Sequence, residues 1–176
     1  MEKIISLDKI KEITKPTEEF LVTLEDNIYG IRFKGFKVRD YDSGEVFHQF
    51  MSDNIYELDY FADNLLQYSF PQKMLKSKTI GTYLTFVVGE GAVKNLDFVE
   101  KHYIQGELVK SYEFNFPLFM PKSENNIEFI YPVPSLKEDV ALKLSKGEDI
   151  EASSDTFICV DGKLVIHRRA QYVYVK

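Results

Sequence analysis

Residues Leu108 to Pro121 read Leu-Val-Lys-Ser-Tyr-Glu-Phe-Asn-Phe-Pro-Leu-Phe-Met-Pro, and this stretch decides the fold class. Counted in twos, one side of it carries only large apolar residues, namely Tyr112, Phe114, Phe116 and Leu118. Alternation with a period of two predicts a β-strand. A strand face built almost wholly of rings either fills a thick core or lines a cavity for a long apolar guest. Periodicity alone favours the first alternative, an ordinary sandwich core.

Further strands are predicted on both sides of this stretch, with turn residues between them. They are Ile28–Arg39 with a β-bulge at Gly35, Glu45–Phe50 after a hairpin turn, Leu66–Phe70, Thr79–Val88, Phe98–Ile104, Leu108–Phe119, Thr156–Val160, Lys163–Arg168 and Ala170–Val175. Many short strands with regular turns indicate an all-β protein with a β-sandwich fold.

Two helices are predicted to accompany the strands. Ser6 is the expected N-cap of a short helix that ends near Thr14, and Pro16 is expected to begin a further turn. A later helix is predicted to start at the capping box Ser135–Glu138 and to stop at Gly147. The chain is therefore expected to consist of a helical or extended N-terminal segment, 1–27, and a β-sandwich domain, 28–176.

Composition limits the class of protein. The chain has 176 residues, 14 Phe, 11 Tyr and a single cysteine, Cys159, so no intramolecular disulfide can form and a cytosolic or nuclear location is expected. Cys159 lies in an apolar run and is expected to be a buried, inert thiol. The net charge of −6 argues against a nucleic-acid partner. No run approaches the roughly 18 apolar residues of a membrane span, so no stable membrane insertion is expected.

The sequence carries no recognisable catalytic or metal-binding motif. The three histidines are scattered without metal-ligand spacing, and nucleophile elbows, Walker loops and paired carboxylates are missing, so no enzyme, cofactor or metal is expected. The one polar group that requires a decision is Glu100-Lys101-His102. Glu100 and His102 share a strand face with Phe98 and Ile104, so they either face water or enter an apolar pocket.

An acidic stretch without Lys or Arg runs from Val46 to Gln72 and contains Asp53, Glu57, Asp59 and Asp63. A run of this kind predicts a solvated loop.

Several motifs resemble the retinal phosphodiesterase delta-subunit superfamily, whose members are immunoglobulin-like sandwiches that carry lipid-modified proteins between their sheets. The diagnostic segment is the aromatic stripe that ends in Phe-Met-Pro-Lys-Ser-Glu-Asn at 119–125. Segments that resemble the myristoyl-binding "uncoordinated" branch are 27–29, 36–40, 42–44, 100–103, 108–111, 154–157 and 167–172. The similarity covers about 8–176 apart from the loop at 51–64.

The resemblance implies roles for individual residues. Glu100 is similar to a carboxylate that accepts hydrogen bonds from the first amides of an acylated peptide, and His102 is its neighbour. Tyr68 and Tyr172 are similar to two pocket tyrosines. The residues expected to contact lipid or peptide are Tyr68, Phe70, Met74, Phe86, Phe98, Glu100, His102, Phe114, Phe116, Leu118, Ile158 and Tyr172.

The resemblance also implies a function. It indicates a lipid-binding chaperone for N-myristoylated cargo proteins, which releases its cargo to an Arf-like small GTPase in the GTP state and acts in the cytoplasm, with the cilium or flagellum as a further location. Two departures leave the ligand open: Ile158 replaces a tyrosine of the branch, and 71–78 resembles the prenyl-binding delta subunit. A prenyl carrier and a protein-interaction sandwich without a lipid remain the alternatives.

Overall fold

The structure is a computed structural model that describes residues 4–54 and 64–176. Its nine strands are β1 (Arg32–Asp40), β2 (Val46–Met51), β3 (Leu66–Pro71), β4 (Thr79–Val87), β5 (Val93–Ile104), β6 (Glu107–Phe119), β7 (Glu124–Pro132), β8 (Ile150–Val160) and β9 (Lys163–Val175). The helices are α1 (Leu7–Lys11) and α2 (Glu138–Lys146), with 3₁₀ turns at Leu24–Asp26 and Gln72–Lys76. None of the described helices is long and apolar enough to cross a bilayer.

The strands form two sheets that face each other, which confirms the predicted all-β sandwich. One sheet has the order β2-β1-β4-β7 and the other has the order β3-β9-β8-β5-β6. All neighbouring strands pair antiparallel except β3 and β9, which are parallel. The predicted bulge is confirmed: the register of β1 against β4 shifts between Phe33 and Gly35. A Cβ on Gly35 would lie 2.5 Å from the carbonyl oxygen of Phe50, so a side chain does not fit there.

The core divides into two apolar clusters between the sheets. The "filled half" centres on Phe98 and Phe129, whose rings stack at 4.4 Å across the gap between β5 and β7. The "open half" centres on Phe70 and Tyr172 and adjoins a cavity. In the open half, neighbouring rings lie along β3 and β9 of one sheet, with Phe70 and Tyr172 edge to face at 5.4 Å.

The N-terminal segment covers the outer face of the five-stranded sheet. Helix α1 begins at the predicted N-cap Ser6, whose hydroxyl accepts from the backbone N–H of Lys9, and Ile10 is buried beneath it. The turn expected after Pro16 is wrong. The backbone N–H of Thr17 donates to Asp155 and that of Leu21 donates to His167, so these groups bond to the sheet rather than to a local turn.

Two further predictions are wrong, and packing explains both. Ser135 does not cap α2, because the helix begins at Glu138 with Lys137 as N-cap, and Leu136 before it packs against the apolar cluster of the open half. Strand β7 was not predicted, although Ile127, Phe129 and Tyr131 alternate towards the core. Gly147 does end α2, with φ +70°.

The predicted apolar face of β6 is confirmed only in part. Tyr112 is buried and Phe114 and Phe116 are half-buried, but Leu118 is 50% exposed and Phe119 packs inward instead. Pro117 has no backbone N–H to contribute to the ladder, and the inward side changes immediately after it.

Cys159 is buried, as predicted, and burial raises the pKa of its thiol to about 12. The centre of the acidic stretch, with Glu57, Asp59 and Asp63, lies outside the described residues.

Candidate ligand cavity

A cavity of about 160 Å³ lies between the two sheets in the open half. It is similar in size to the engineered apolar cavity of about 150 Å³ that takes up benzene. Most of its lining is apolar, from both sheets and from the 3₁₀ turn at Gln72–Lys76, which contributes Met74 and Leu75. The cavity can therefore receive a narrow apolar group without rearrangement.

The residues expected to contact a ligand separate into three groups. Seven of them line the cavity: Tyr68, Phe70, Met74, Phe98, Glu100, His102 and Tyr172. Four others pack in or against the filled half, namely Phe86, Phe114, Phe116 and Ile158. The last, Leu118, is exposed on the edge strand. Phe98 stands at the boundary, because it belongs to the filled half and also lines the cavity.

A band of polar side chains crosses the cavity wall formed by β5, β8 and β9. We call it the polar belt; its members are Glu100, His102, Ser154, Thr156 and Arg168. The ladders explain the belt, because Glu100 pairs with Thr156, Thr156 with Arg168 and His102 with Ser154. Residues that pair directly across antiparallel strands point to the same side of the sheet. The inward alternative for Glu100 and His102 is therefore the one that the structure adopts.

Glu100 and His102 form a pair of hydrogen-bond acceptors. The Tyr172 hydroxyl lies 3.2 Å from the carbonyl oxygen of Ser153, to which it donates, and 3.1 Å from Nδ1 of His102. The network thus assigns the proton of a neutral His102 to Nδ1 and leaves Nε2 as an acceptor. Nε2 lies 3.2 Å from Oε1 of Glu100, and it has no hydrogen-bond partner among the residues that the structure describes. A single N–H donor between these two atoms would satisfy both.

The environment of the belt is largely shielded from water. The side chains of His102 and Glu100 are 20% and 23% exposed. Burial, assisted by the nearby carboxylate of Glu100, raises the pKa of Tyr112 to about 12. The same two causes raise the pKa of Tyr131 still further, and its hydroxyl lies 2.9 Å from that of Thr82. These tyrosines are neutral hydrogen-bonding groups around the belt.

Arg168 is a cavity residue that the sequence analysis did not single out. Its guanidinium lies over the ring of Phe33, 5.1 Å from the centroid, and so connects the two sheets. Burial lowers the pKa of Arg168, but a guanidinium stays charged in proteins. The signal was present in the sequence, because Ile166, Arg168 and Ala170 alternate on one strand face and the two neighbours are apolar.

The opposite face of the same strands carries a second set of buried polar groups, which serves the N-terminal segment. Asp155 lies 3.1 Å from Nε2 of His167 and accepts from both the N–H and the hydroxyl of Thr17. Lys101 donates to the carbonyl oxygens of Lys11 and Ile13. All these contacts are within the chain, so this outer polar cluster fixes the N-terminal segment on the sheet.

Comparisons with known proteins agree with this architecture. The family model described as GMP-PDE, delta subunit, matches residues 25–174. The protein unc-119 homolog B of Danio rerio is 35% identical over 97% of this chain and 74% of its own length. Its human counterpart is 33% identical over 98% of this chain and 75% of its own length, and unc-119 of Caenorhabditis elegans is 32% identical over 90% and 74%.

Proposed function

The chain belongs to the GMP-PDE delta-subunit family, and from this membership we propose that it is a lipid-binding chaperone that carries N-myristoylated proteins. The observation that carries the proposal is the combination in one cavity of an apolar wall and the acceptor pair Glu100–His102. An N-acylated glycine has a long apolar chain next to an amide N–H, and these two features match the wall and the pair.

The energetics are adequate for a carrier. Burial of acyl methylenes at about 0.8 kcal/mol each gives on the order of 10 kcal/mol for a myristoyl chain, and the same burial drives the chain into a bilayer. The cavity therefore competes with membrane rather than with water, and contacts at the peptide end must supply selectivity.

The size of the cavity adds a condition. At about 160 Å³ it is below the roughly 300–1,000 Å³ of typical ligand pockets. A full tetradecanoyl chain thus requires half-buried liners such as Tyr68 and Met74 to move. Met74 is suited to this, because an unbranched thioether adapts its rotamer easily.

A prenyl carrier of the delta-subunit type is the second candidate. It is favoured by Met74 and Leu75, which line the cavity and belong to the segment at 71–78 that resembles the prenyl-binding subunit. Against it stands the acceptor pair, since a prenyl thioether has no N–H of its own to donate to Oε1 of Glu100 and Nε2 of His102.

Release of a deeply buried chain requires a partner with different affinities for two states of the carrier. We assign this role to a GTP-bound Arf-like small GTPase, as the family resemblance implies. Strands β2 and β3 support it, because each pairs with a single neighbour among the described strands, and a net charge of −6 suits a basic partner surface. The carrier would act in the cytoplasm and, for ciliary cargo, in the cilium or flagellum.

The binding proposal is tested by titrating the protein with fluorescent peptides of one sequence that are N-myristoylated, C-terminally farnesylated or unmodified. Micromolar or tighter binding of the myristoylated peptide alone is expected. Tighter binding of the farnesylated peptide would favour the second candidate. Equal binding of the unmodified peptide, or no binding at all, would leave only a protein-interaction sandwich.

The release step has a separate test. Stopped-flow dissociation of the labelled myristoylated peptide is followed after mixing with the GTPase, loaded with a GTP analogue or with GDP. Faster release with the GTP analogue is expected. A rate independent of the nucleotide would leave a lipid-binding protein without regulated delivery.

A further inference from the structure

The guanidinium of Arg168 is a charged group on the wall of a largely apolar cavity. Arg168 lines the same cavity as Phe70 and Tyr172, and its side chain reaches across to the ring of Phe33 on the facing sheet. Placing a charge there costs free energy unless it has polar partners. An arginine has five N–H donors, so it can serve a ligand in addition to contacts within the protein.

The position of Arg168 relative to the acceptor pair is set by the ladder. Thr156 stands between Arg168 and Glu100, paired with both, and its hydroxyl lies 3.4 Å from Oε2 of Glu100. Two strand spacings, roughly 10 Å, therefore separate the backbones that carry the donor and the acceptors. A peptide group with one hydrogen bond on each side spans roughly 8 Å, which is comparable with this separation.

The polarity of the belt is also directional. Its β9 end offers donors from Arg168, whereas its β5 end offers acceptors from Glu100 and His102. A secondary amide is the smallest common group that presents a carbonyl oxygen on one side and an N–H on the other. A thioether presents neither.

We propose that Arg168 donates to the carbonyl oxygen of the acyl amide while Glu100 and His102 accept from the N–H of the same amide. The belt then binds both polar groups of the amide. This assignment rests on the proposed function, because it requires an N-acylated ligand in the cavity. Arg168 is then a specificity-determining residue: it donates to the carbonyl oxygen of an N-acyl amide, whereas a prenyl thioether offers its guanidinium no carbonyl oxygen to bind.

The test uses Arg168→Met, which keeps much of the apolar stem, and Arg168→Lys, which keeps a single charged donor. Arg169→Met is the matched control. Arg169 also belongs to the cavity lining, but its guanidinium donates to the carbonyl oxygen of Thr17 and lies over the ring of Phe20 in the N-terminal segment, so the substitution removes no donor from the polar belt. Each variant is first checked for folding by thermal unfolding. It is then titrated with N-myristoylated and S-farnesylated peptides of one sequence.

Arg168→Met is expected to lower the affinity for the myristoylated peptide about 10- to 100-fold, which is the loss for one charged hydrogen bond. The affinity for the farnesylated peptide should stay the same or rise. Arg168→Lys should fall between Arg168→Met and the wild type, and Arg169→Met should alter both affinities by less than about twofold. An equal loss for both ligands, or none, with Arg168→Met would overturn the assignment.

A spectroscopic readout reports the contact itself. The acyl carbonyl is labelled with ¹³C, and its infrared band is recorded in the bound state. Loss of the arginine donor in Arg168→Met is expected to move the band to higher wavenumber, whereas Arg169→Met leaves it in place; an unmoved band in Arg168→Met contradicts the proposal.

If the wild-type protein binds the farnesylated but not the myristoylated peptide, or neither of them, the proposed function fails and this assignment falls with it. If the wild type binds the myristoylated peptide but Arg168→Met changes neither its affinity nor the infrared band, only the assignment of Arg168 is contradicted.

Discussion

The filled half and the open half share most of their strands and both consist mainly of aromatic and aliphatic residues, yet the cavity found between the sheets among the described residues lies in the open half. In the filled half, Phe98 of β5 stacks on Phe129 of β7, and Phe114 of β6 approaches the same ring at 4.4 Å. In the open half, Phe70 and Tyr172 contact each other along one sheet. Phe70 also has a ring opposite it on the facing sheet, but His48 lies 5.9 Å away, against 4.4 Å between Phe98 and Phe129. The looser approach leaves space in front of Phe70.

The two halves also differ in polarity. The polar belt, with Glu100 and Arg168, lines the cavity at the border of the filled half, where Phe98 follows on β5. Groups of this kind would have to be desolvated if interlocked rings continued over them. The belt therefore marks where packing stops and ligand contact begins, and the following predictions test that division.

The largest effect on stability is expected for Phe86→Ala in the filled half. Phe86 is buried against Phe33 and Phe119, so truncation leaves a void and should cost about 3–5 kcal/mol of unfolding free energy. Acyl-peptide affinity should change little. The matched variant Phe70→Ala borders an existing cavity, so it should lose less stability but bind acyl peptide more weakly. Chemical denaturation and peptide titration of both variants check this; the reverse pattern would contradict the division.

Filling the open half should abolish binding without harm to the fold. Ala170 lines the cavity from β9, and Ala170→Trp places an indole in the space intended for the chain. Myristoyl-peptide affinity should fall at least about 100-fold, roughly 2.7 kcal/mol, while the midpoint of thermal unfolding is maintained. Ala141→Trp, on the exposed surface of α2, is the control and should bind normally. Full binding by Ala170→Trp would place the ligand outside the cavity.

Removal of the belt carboxylate separates ligand contact from packing. Glu100→Ala should weaken acyl-peptide binding by about 1.5–3 kcal/mol, as for loss of a charged hydrogen-bond partner. Thermal stability should stay the same or rise, because a largely buried carboxylate is removed. Glu113→Ala is the control, since Glu113 is exposed on β6 and pairs with Lys11. Equal affinity for Glu100→Ala and the wild type would exclude the carboxylate from ligand binding.

The outer polar cluster should show the opposite behaviour. Asp155→Asn should cost about 1–3 kcal/mol of unfolding free energy through its contacts with His167 and Thr17, with no change in acyl-peptide affinity.

The acid dependence of that loss follows from the pKa of Asp155. Burial favours a higher pKa, but the hydrogen bonds from His167 and Thr17 together hold it below the usual 3.8. A lowered folded-state pKa stabilises the protein above 3.8, and this contribution is lost as the pH falls through the folded-state value. Denaturation of wild type and Asp155→Asn at neutral pH and in acid should show a difference that shrinks in acid; a constant difference would assign the loss to another cause.

The sequence predicts the architecture better than the details of the site. The alternation in β5 places Glu100 and His102 on one face, and the ladder with β8 then makes them part of a belt. Arg168 could not be assigned in the same way, because its relation to Glu100 depends on the order β9-β8-β5, which local periodicity does not contain. The start of α2 was misplaced for a similar reason, since Leu136 is held by tertiary packing rather than by local capping.

The division into two halves also lies beyond the reach of sequence patterns. Phe86 and Phe70 are both buried strand residues in apolar surroundings, and the tertiary packing around each ring, which local periodicity does not contain, decides which one fills the core and which one lines the cavity. Phe86, Phe114, Phe116 and Ile158 were expected to contact ligand on the same grounds as Phe70, and they lie in or against the filled half.

The central claim, that an acyl chain lies between the sheets in the open half, is tested most directly by NMR of the complex with a peptide whose myristoyl chain is labelled with ¹³C. Intermolecular NOEs are expected from the chain methylenes to the rings of Phe70 and Tyr172, with none to Phe86 in the filled half. NOEs confined to exposed residues, such as Leu118 on the edge of β6, would contradict the account.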